Sequence, residues 1–505
     1  MTDDRSPELP EHSVEGVGRD TRRGITWSFV GAVITNAIRI VVLAVLGRTL
    51  TKDDFGIVAA AISVNVVVFG IRDLGIGVAL VQRKDLQPGH LATAFATSTY
   101  LGLALSAGLF ATAPWIGTAY GIVDSIDVIR GLAAMFAIRS VATPSRMMCQ
   151  RAMNFRLLTM VDALAFGVGS LVSVICAIAG AGPWSLVAGY LVEETAGAVS
   201  YLIVSPPKFS LKIDRKHLRE LLDFGGGYSV VLIANLVATF GDNMVVGRAL
   251  GAGQLGFYSR AYDLMRYPSM VFEALVGNVL FPAFARLQKD PTNVAVSFRR
   301  VTFVNGLLLL PASAALVVVA PEAIRLTLGT GWHDVVLPFQ ILMTATLART
   351  SLKLGTIVAQ AVGSVNAVAA GYVLYAMILV GGALVTIRWG IVGVATSTAI
   401  SIAIASALLC YLAARVTQLS LQAFAAAHIP GLVLTAAAVA TAWPLAAALR
   451  AIAVPAALIF IAVAIASIAV CSLGLAAAIR SGRGDFAWLG SELRRVRTKL
   501  TRSAA

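Results

Sequence analysis

The chain has 505 residues, enough for about three soluble domains, but 58% of them are hydrophobic and only 13% are charged. Soluble globular proteins are roughly 45–50% apolar and about 25% charged, so this composition excludes soluble enzymes and disordered proteins and predicts an all-α polytopic membrane protein. The net charge of +14 would favour a nucleic-acid partner in a soluble protein. In a membrane protein it is the usual Lys and Arg excess of cytoplasmic loops, so we expect no nucleic-acid partner.

The chain begins with a polar, acidic segment and then becomes strongly apolar. Residues 1–20 are predicted to form a disordered cytoplasmic tail. About 14 apolar segments long enough to be transmembrane helices follow between residues 24 and 479. Lys and Arg concentrate in alternate loops and in both tails, and positively charged loops normally remain inside. Both termini are therefore predicted to be cytoplasmic.

The sequence contains an internal repeat of six apolar segments. An even number gives both copies the same orientation, so the repeat predicts two six-helix pseudo-symmetric lobes around a central cavity, related by an axis along the membrane normal. Corresponding positions are Gly47 and Gly247, Arg48 and Arg248, Gly56 and Gly256, Arg139 and Arg349, and Gly182 and Gly390.

Composition divides the rest of the chain into further units. The basic tail has apolar residues at helical spacing, so it forms either an amphipathic helix on the anionic inner leaflet or a solvated basic segment. The predicted units are a first lobe over residues 21–205, a basic cytoplasmic linker over 206–223, a second lobe over 224–415, two extra C-terminal helices within 416–480 and the basic cytoplasmic tail over 481–505.

Charged side chains lie well inside several apolar segments. An ionised residue at the bilayer centre costs about 2.5–3.5 kcal/mol, so such residues normally face the protein interior or a water-filled cavity. In the eighth segment four charged residues, Arg260, Asp263, Arg266 and Glu273, share one helix face, which either lines the cavity or neutralises itself and holds helices together. The residues predicted to line the cavity are Asn36, Arg39, Arg139, Asn235, Asp242, Arg260, Asp263, Arg266 and Arg349.

The start of the chain and the segment after Arg248 carry a family resemblance. AGQLGFYSRAYDLMRYP, followed by GNVLFPAFARLQ, resembles the Wzx-type polysaccharide flippases of the multidrug/oligosaccharidyl-lipid/polysaccharide (MOP) exporter superfamily. The resemblance implies transport of lipid-linked oligosaccharide or polysaccharide across the inner membrane of a bacterium, for surface polysaccharide biosynthesis. It also implies a polyprenyl pyrophosphate glycan as substrate, contact with plasma-membrane lipids, and glycan polymerase and glycosyltransferases as partners. That family has no short catalytic signature.

Three of the intramembrane arginines have no acidic residue within four positions along the sequence. Arg39, Arg139 and Arg349 therefore pair either with a carboxylate on another helix or with an anionic substrate. A guanidinium stays charged at any working pH and makes bidentate hydrogen bonds to phosphate, as a lipid diphosphate would require.

Two other functions remain as alternatives: a multidrug or cation antiporter of the same superfamily, and a membrane-embedded glycan polymerase or glycosyltransferase. The enzyme is disfavoured because every external loop is short. Gly251 to Gly256 satisfies G-x-G-x-x-G, but it joins two membrane segments rather than a strand and a helix, so turn geometry explains it. The spacings of four cysteines and five histidines predict no disulfide or metal site, and no cofactor is expected.

Overall fold

The computed structural model describes residues 35–72, 76–83, 85–207, 209–222, 228–287, 291–482 and 484–504. Every regular element in these ranges is helical. Seven of the described helices, or eight when one bent pair is counted as a single span, are long and apolar enough to cross a membrane. An all-α multi-pass membrane protein is therefore confirmed, whereas the number of about fourteen spans stays a prediction. The predicted tail of residues 1–20 lies outside the described residues.

Several helices of the first half pack on each other. They are α1 (35–49), α2 (Lys52–Arg72), α3 (Ile76–Gln82), α4 (Pro88–Tyr120), α5 (Ser125–Arg151), α6 (Phe155–Ile178) and α7 (Pro183–Val204). α5 packs on α2, α4 and α7, and α6 packs on α7. Small residues permit this close approach: a Cβ on Gly102 of α4 would overlap Ser140 of α5, and one on Gly189 of α7 would overlap Ser173 of α6.

The second half repeats this arrangement with one long, broken helix. Its helices are α8 (Arg215–Leu222), α9 (Tyr228–Leu287), α10 (Pro291–Val318), α11 (Ala320–Thr327), α12 (Val336–Thr344), α13 (Thr346–Ala361), α14 (Val365–Thr386) and α15 (Gly390–Val416). Gly251 has φ 80°, which favours glycine and breaks α9 into a first arm (228–250) and a second arm (252–287). α14 packs on α9 and α15, and α13 packs on α15. Gly251, the first glycine of the G-x-G-x-x-G sequence, is thus a turn residue.

The last helices pack on the second half. They are α16 (Leu421–Ala426), α17 (Ile429–Ala451), α18 (Ala456–Ser481) and α19 (Asp485–Ala504). α17 packs on α10, and Arg450 at its end makes two hydrogen bonds of 2.7 Å to Glu322 of α11. α19 lies in the predicted basic tail. Its first turn is attached to α10 by an ion pair between Asp485 and Arg299, 2.7 Å apart.

The two halves contact each other through the repeated motifs. The indole of Trp332 donates to the Gly47 carbonyl at 2.8 Å, while Gly247 packs against Tyr120 of the first half. Between these contacts α2 packs along the second arm of α9. A Cβ on Gly56 would overlap the Ala252 carbonyl, and one on Gly256 would overlap the Lys52 carbonyl. The repeat-equivalent glycines therefore form a reciprocal contact between the two halves.

The predicted basic linker is docked on the first half. Leu221 of α8 is completely buried against Leu80 and Ala94. Glu220 contacts Arg83 at 2.5 Å and His90 at 2.9 Å. The hydrogen bond from His90 and the charge of Arg83 hold the pKa of the Glu220 carboxyl below its ordinary value of 4.5. The connector thus folds onto the end of α3 and α4 rather than running free between the halves.

Candidate functional site

Two cavities lie between the halves and adjoin each other. The first, the N-cavity, has a volume of about 460 Å³ and is lined by α1, α2, α5, α6, α7 and the second arm of α9. The second, the C-cavity, has a volume of about 720 Å³ and is lined mainly by α2, both arms of α9, α13 and α14. Arg260, Asp263 and Arg266 line both cavities, so the charged face of the second arm of α9 stands between them.

The N-cavity combines arginines with carboxylates. Arg139 Nη1 lies 2.7 Å from Glu194 Oε1, and its guanidinium stacks 5.1 Å from the ring centroid of Phe69. Glu193 also lines the cavity. Arg39 stacks 5.0 Å from the ring of Phe166, and its buried Nε has no hydrogen-bond partner among the described residues. The interhelical ion pair foreseen as one alternative is therefore present at Arg139.

The C-cavity has a different polar lining. Arg349 donates from Nη1 to the hydroxyl of Tyr262 at 2.8 Å. Lys353 of α13 contributes a second cation, and Asn235 of the first arm of α9 contributes an amide. Arg349 and Arg139, which correspond in the repeat, thus line adjoining cavities from opposite halves of the molecule.

The charged face of the second arm of α9 both pairs internally and lines the cavities, so both alternatives from the sequence apply. Arg260 and Asp263 form an ion pair of 2.7 Å along the helix, and the Arg260 guanidinium stacks 4.7 Å from the ring of Phe55. These residues nevertheless line the cavities together with Arg266. Internal pairing lowers the cost of placing these charges here without removing them from the cavity surface.

Two predicted cavity residues lie elsewhere. Asp242 is buried and accepts hydrogen bonds from Tyr258, from the Thr398 hydroxyl at 3.2 Å and from the backbone N–H of Asn243 at 2.9 Å. Asp242 lies on a side of the first arm that faces other helices, and its hydrogen bonds connect this arm to the second arm of α9 and to α15. Asn36 lines a separate apolar groove of about 1000 Å³ beside α1.

Some functional candidates were not assigned from the sequence. Arg139 pairs with Glu194, and Arg349 donates a hydrogen bond to Tyr262. Two adjacent carboxylates inside the apolar segment of α7 were the available signal for Glu194. No signal existed for Tyr262, because a tyrosine in an apolar helix is ordinarily a packing residue.

An all-α membrane fold around charged central cavities of this kind is typical of a membrane transporter. Residues 45–337, more than half of the chain, match the model of the family described as "Polysaccharide biosynthesis protein". The chain belongs to that family, and the predicted resemblance to the Wzx-type flippases is confirmed.

Curated relatives agree with this assignment. The chain is 27% identical to the lipopolysaccharide biosynthesis protein WzxC of Escherichia coli, over 65% of its own length and 68% of the relative. It is 26% identical to the succinoglycan biosynthesis transport protein ExoT of Rhizobium meliloti, over 61% of its own length and 63% of the relative.

Solved structures support the fold. The lipid II flippase MurJ in an inward closed conformation has a TM-score of 0.67 at 12% identity and covers 91% of this chain and 99% of its own. An inward-facing multidrug resistance MATE transporter of the MOP superfamily has a TM-score of 0.57 at 13% identity, with 79% of this chain and 94% of its own covered.

Proposed function

We propose that the protein is a flippase that moves lipid-linked oligosaccharide or polysaccharide across the plasma membrane by alternating access, for surface polysaccharide biosynthesis. The observation that carries the proposal is the position of Arg139 and Arg349 on the walls of adjoining cavities, one in each half of a chain of the polysaccharide biosynthesis family. It acts as a transporter rather than an enzyme.

The arginines are proposed to bind the diphosphate of the substrate. Arg139 and Arg349 approach it from the two halves, Arg39 adds a third guanidinium, and Arg260 and Arg266 keep the space between them positive. Bidentate hydrogen bonds from guanidinium to phosphate are strong and specific. The polyprenyl chain stays in the lipid while the glycan crosses through the cavity.

Movement requires the two halves to separate where they now touch. The Gly56 and Gly256 contact would open on release of the substrate and close again on return. The sequence contains no Walker A motif that would bind ATP. An anion leaving a negative-inside cell gains about 2.3 kcal/mol per charge per 100 mV, which favours outward movement of a diphosphate.

The proposed orientation places both termini and the 206–223 linker in the cytoplasm. Reporter fusions after Arg215 and after Ser503 are expected to report the inside. An external signal from either fusion would contradict the alternation of the spans and the direction of transport.

The main experiment measures flipping in proteoliposomes with a fluorescent polyprenyl diphosphate disaccharide. Arg349→Ala is expected to lower the rate on the order of a hundredfold, because the phosphate loses a charged partner. Arg349→Lys should retain part of the rate. Arg388→Ala serves as the control because Arg388 is exposed and outside both cavities. An unchanged rate in Arg349→Ala would refute the assigned site.

A cation antiporter is the second candidate because the MATE transporters share the fold. In that case proteoliposomes should move a lipophilic cation in exchange for protons, and Arg349→Ala should not slow that exchange. Movement of the cation without any movement of the diphosphate would favour this second function.

A further inference from the structure

The ion pair in the N-cavity is open to the space that a substrate would enter. The side chains of Arg139 and Glu194 are 38% and 17% exposed, and both line the cavity. Phe69 covers one face of the guanidinium. The carboxylate therefore occupies donors of Arg139 that a phosphate in the same cavity would use.

Holding α5 and α7 together does not require this pair. The helices also pack through Gly131, where a Cβ would lie 2.9 Å from the Trp184 ring and 3.2 Å from Val187. A half-exposed ion pair adds little stability of its own. The consequence of the pair is instead electrostatic, since it neutralises an arginine in a cavity that must close.

Glu194 belongs to the first half alone. At the repeat spacing that relates Gly182 to Gly390, Glu194 corresponds to Ile402, which is completely buried. Arg139 and Arg349 correspond to each other, yet only the first half provides a carboxylate at this repeat position. The internal repeat therefore relates the two arginines to each other, but Glu194 has no acidic equivalent at the corresponding position of the second half.

On the basis of the function proposed above, we propose that Glu194 is a built-in counter-ion that occupies Arg139 when the cavity is empty and is displaced by the substrate phosphate. Closing an empty cavity over an uncompensated guanidinium would be costly, and the ion pair removes that cost on the return step. Arg39, which lines the same cavity, gives the incoming phosphate a further guanidinium.

This role predicts opposite effects on binding and on turnover. Without the carboxylate, Arg139 is available to phosphate at all times, so the substrate binds more tightly. The empty transporter then closes less readily, so the flipping rate at saturating substrate falls. A carboxylate that only holds two helices together would weaken binding and turnover in parallel when it is removed.

The test uses Glu194→Gln, which keeps the shape of the side chain and removes its charge. Affinity for polyprenyl diphosphate is measured in nanodiscs, and flipping of the fluorescent diphosphate disaccharide in proteoliposomes. We expect Kd to fall about tenfold, the scale of one charge-assisted hydrogen bond, and the maximal rate to fall by a similar factor. Asp127→Asn is the matched control, because it removes a carboxylate from an ion pair with Arg130 on the same helix α5, outside both cavities. Its Kd is expected to change by about threefold or less.

A double variant separates this role from a folding defect. In an Arg139→Ala background, Glu194→Gln should no longer lower Kd, because the donor for which Glu194 competes is gone. If the wild-type protein binds and flips the probe but Glu194→Gln binds it equally or more weakly, the counter-ion role is wrong and the flippase function stands. If the wild-type protein neither binds nor flips the probe, the function itself is wrong and the counter-ion role is wrong with it.

Discussion

Arg139 and Arg349 occupy corresponding positions in the walls of the two cavities, but their neighbouring residues differ. In the first half Arg139 meets the carboxylate of Glu194 at 2.7 Å, whereas in the second half Arg349 donates to the hydroxyl of Tyr262 at 2.8 Å. Lys353 lines the C-cavity and Glu193 the N-cavity. An internal repeat thus fixes where a guanidinium stands, while the neighbouring helices determine which groups it contacts.

The reciprocal glycines are where the halves match, and substituting them should have the largest effect. Gly56→Val and Gly256→Val would each force a side chain into a carbonyl of the facing helix, which cannot move aside as a side chain can. Flipping is expected to fall on the order of a hundredfold, to a similar extent in both variants. Gly108→Val is the control, because a Cβ there meets nothing within 4 Å. Loss in only one glycine variant would show that the contact is not reciprocal in function.

The ion pair is where the halves differ, and it predicts an intermediate effect on stability. Arg139→Ala leaves the half-buried Glu194 carboxylate without its cation, and is expected to lower the free energy of unfolding by roughly 2 kcal/mol after allowance for solvent screening. Adding Glu194→Gln should restore most of this loss, but not flipping. Denaturant unfolding in mild detergent measures both variants. Additive losses in the double variant would indicate two independent sites.

Docking of the linker on the first half should give the smallest effect, a dependence on pH. Because the pKa of Glu220 is held below 4.5 in the folded protein, its contribution is present above that value and disappears as pH falls through the lowered pKa. Protection of the α8 amides, measured as the intrinsic exchange rate divided by the observed rate at the same pH, should accordingly fall only below pH 4.5. Glu220→Gln should be less protected at neutral pH and lose this pH dependence of the protection. Wild-type α8 protection that stays constant below pH 4.5 would contradict the assigned contact.

From the sequence it was easier to predict which residues avoid lipid than to predict which residues contact each other. Apolar segments interrupted by Arg39, Arg139 and Arg349 implied a cavity, because the cost of charges in lipid is a local property. Helical spacing on the eighth segment likewise located Arg260, Asp263 and Arg266. The internal repeat likewise identified Gly56 of α2 and Gly256 of α9 as equivalent positions.

Contacts between helices could not be predicted in the same way. Asp242 shares a helical stripe with Asn235, but whether that stripe ends at the cavity or against Tyr258 depends on how the arms of α9 and α15 pack. The Arg139 partner lies 55 residues away. The linker was predicted to be a connector because it is rich in charged residues, whereas Leu221 anchors it in a buried cluster and Glu220 pairs with Arg83 and His90.

The central claim, that arginines of both halves recognise a lipid-linked phosphate, is tested most directly by a comparison of head groups. Binding of polyprenyl diphosphate and of uncharged polyprenol would be measured with the protein in nanodiscs, for the wild-type chain and for the Arg139→Ala/Arg349→Ala double variant. The account predicts that the wild-type protein prefers the diphosphate by on the order of a hundredfold, and that the double variant loses most of this preference. Equal affinity for the two lipids in the wild-type protein, or an undiminished preference in the double variant, would contradict it.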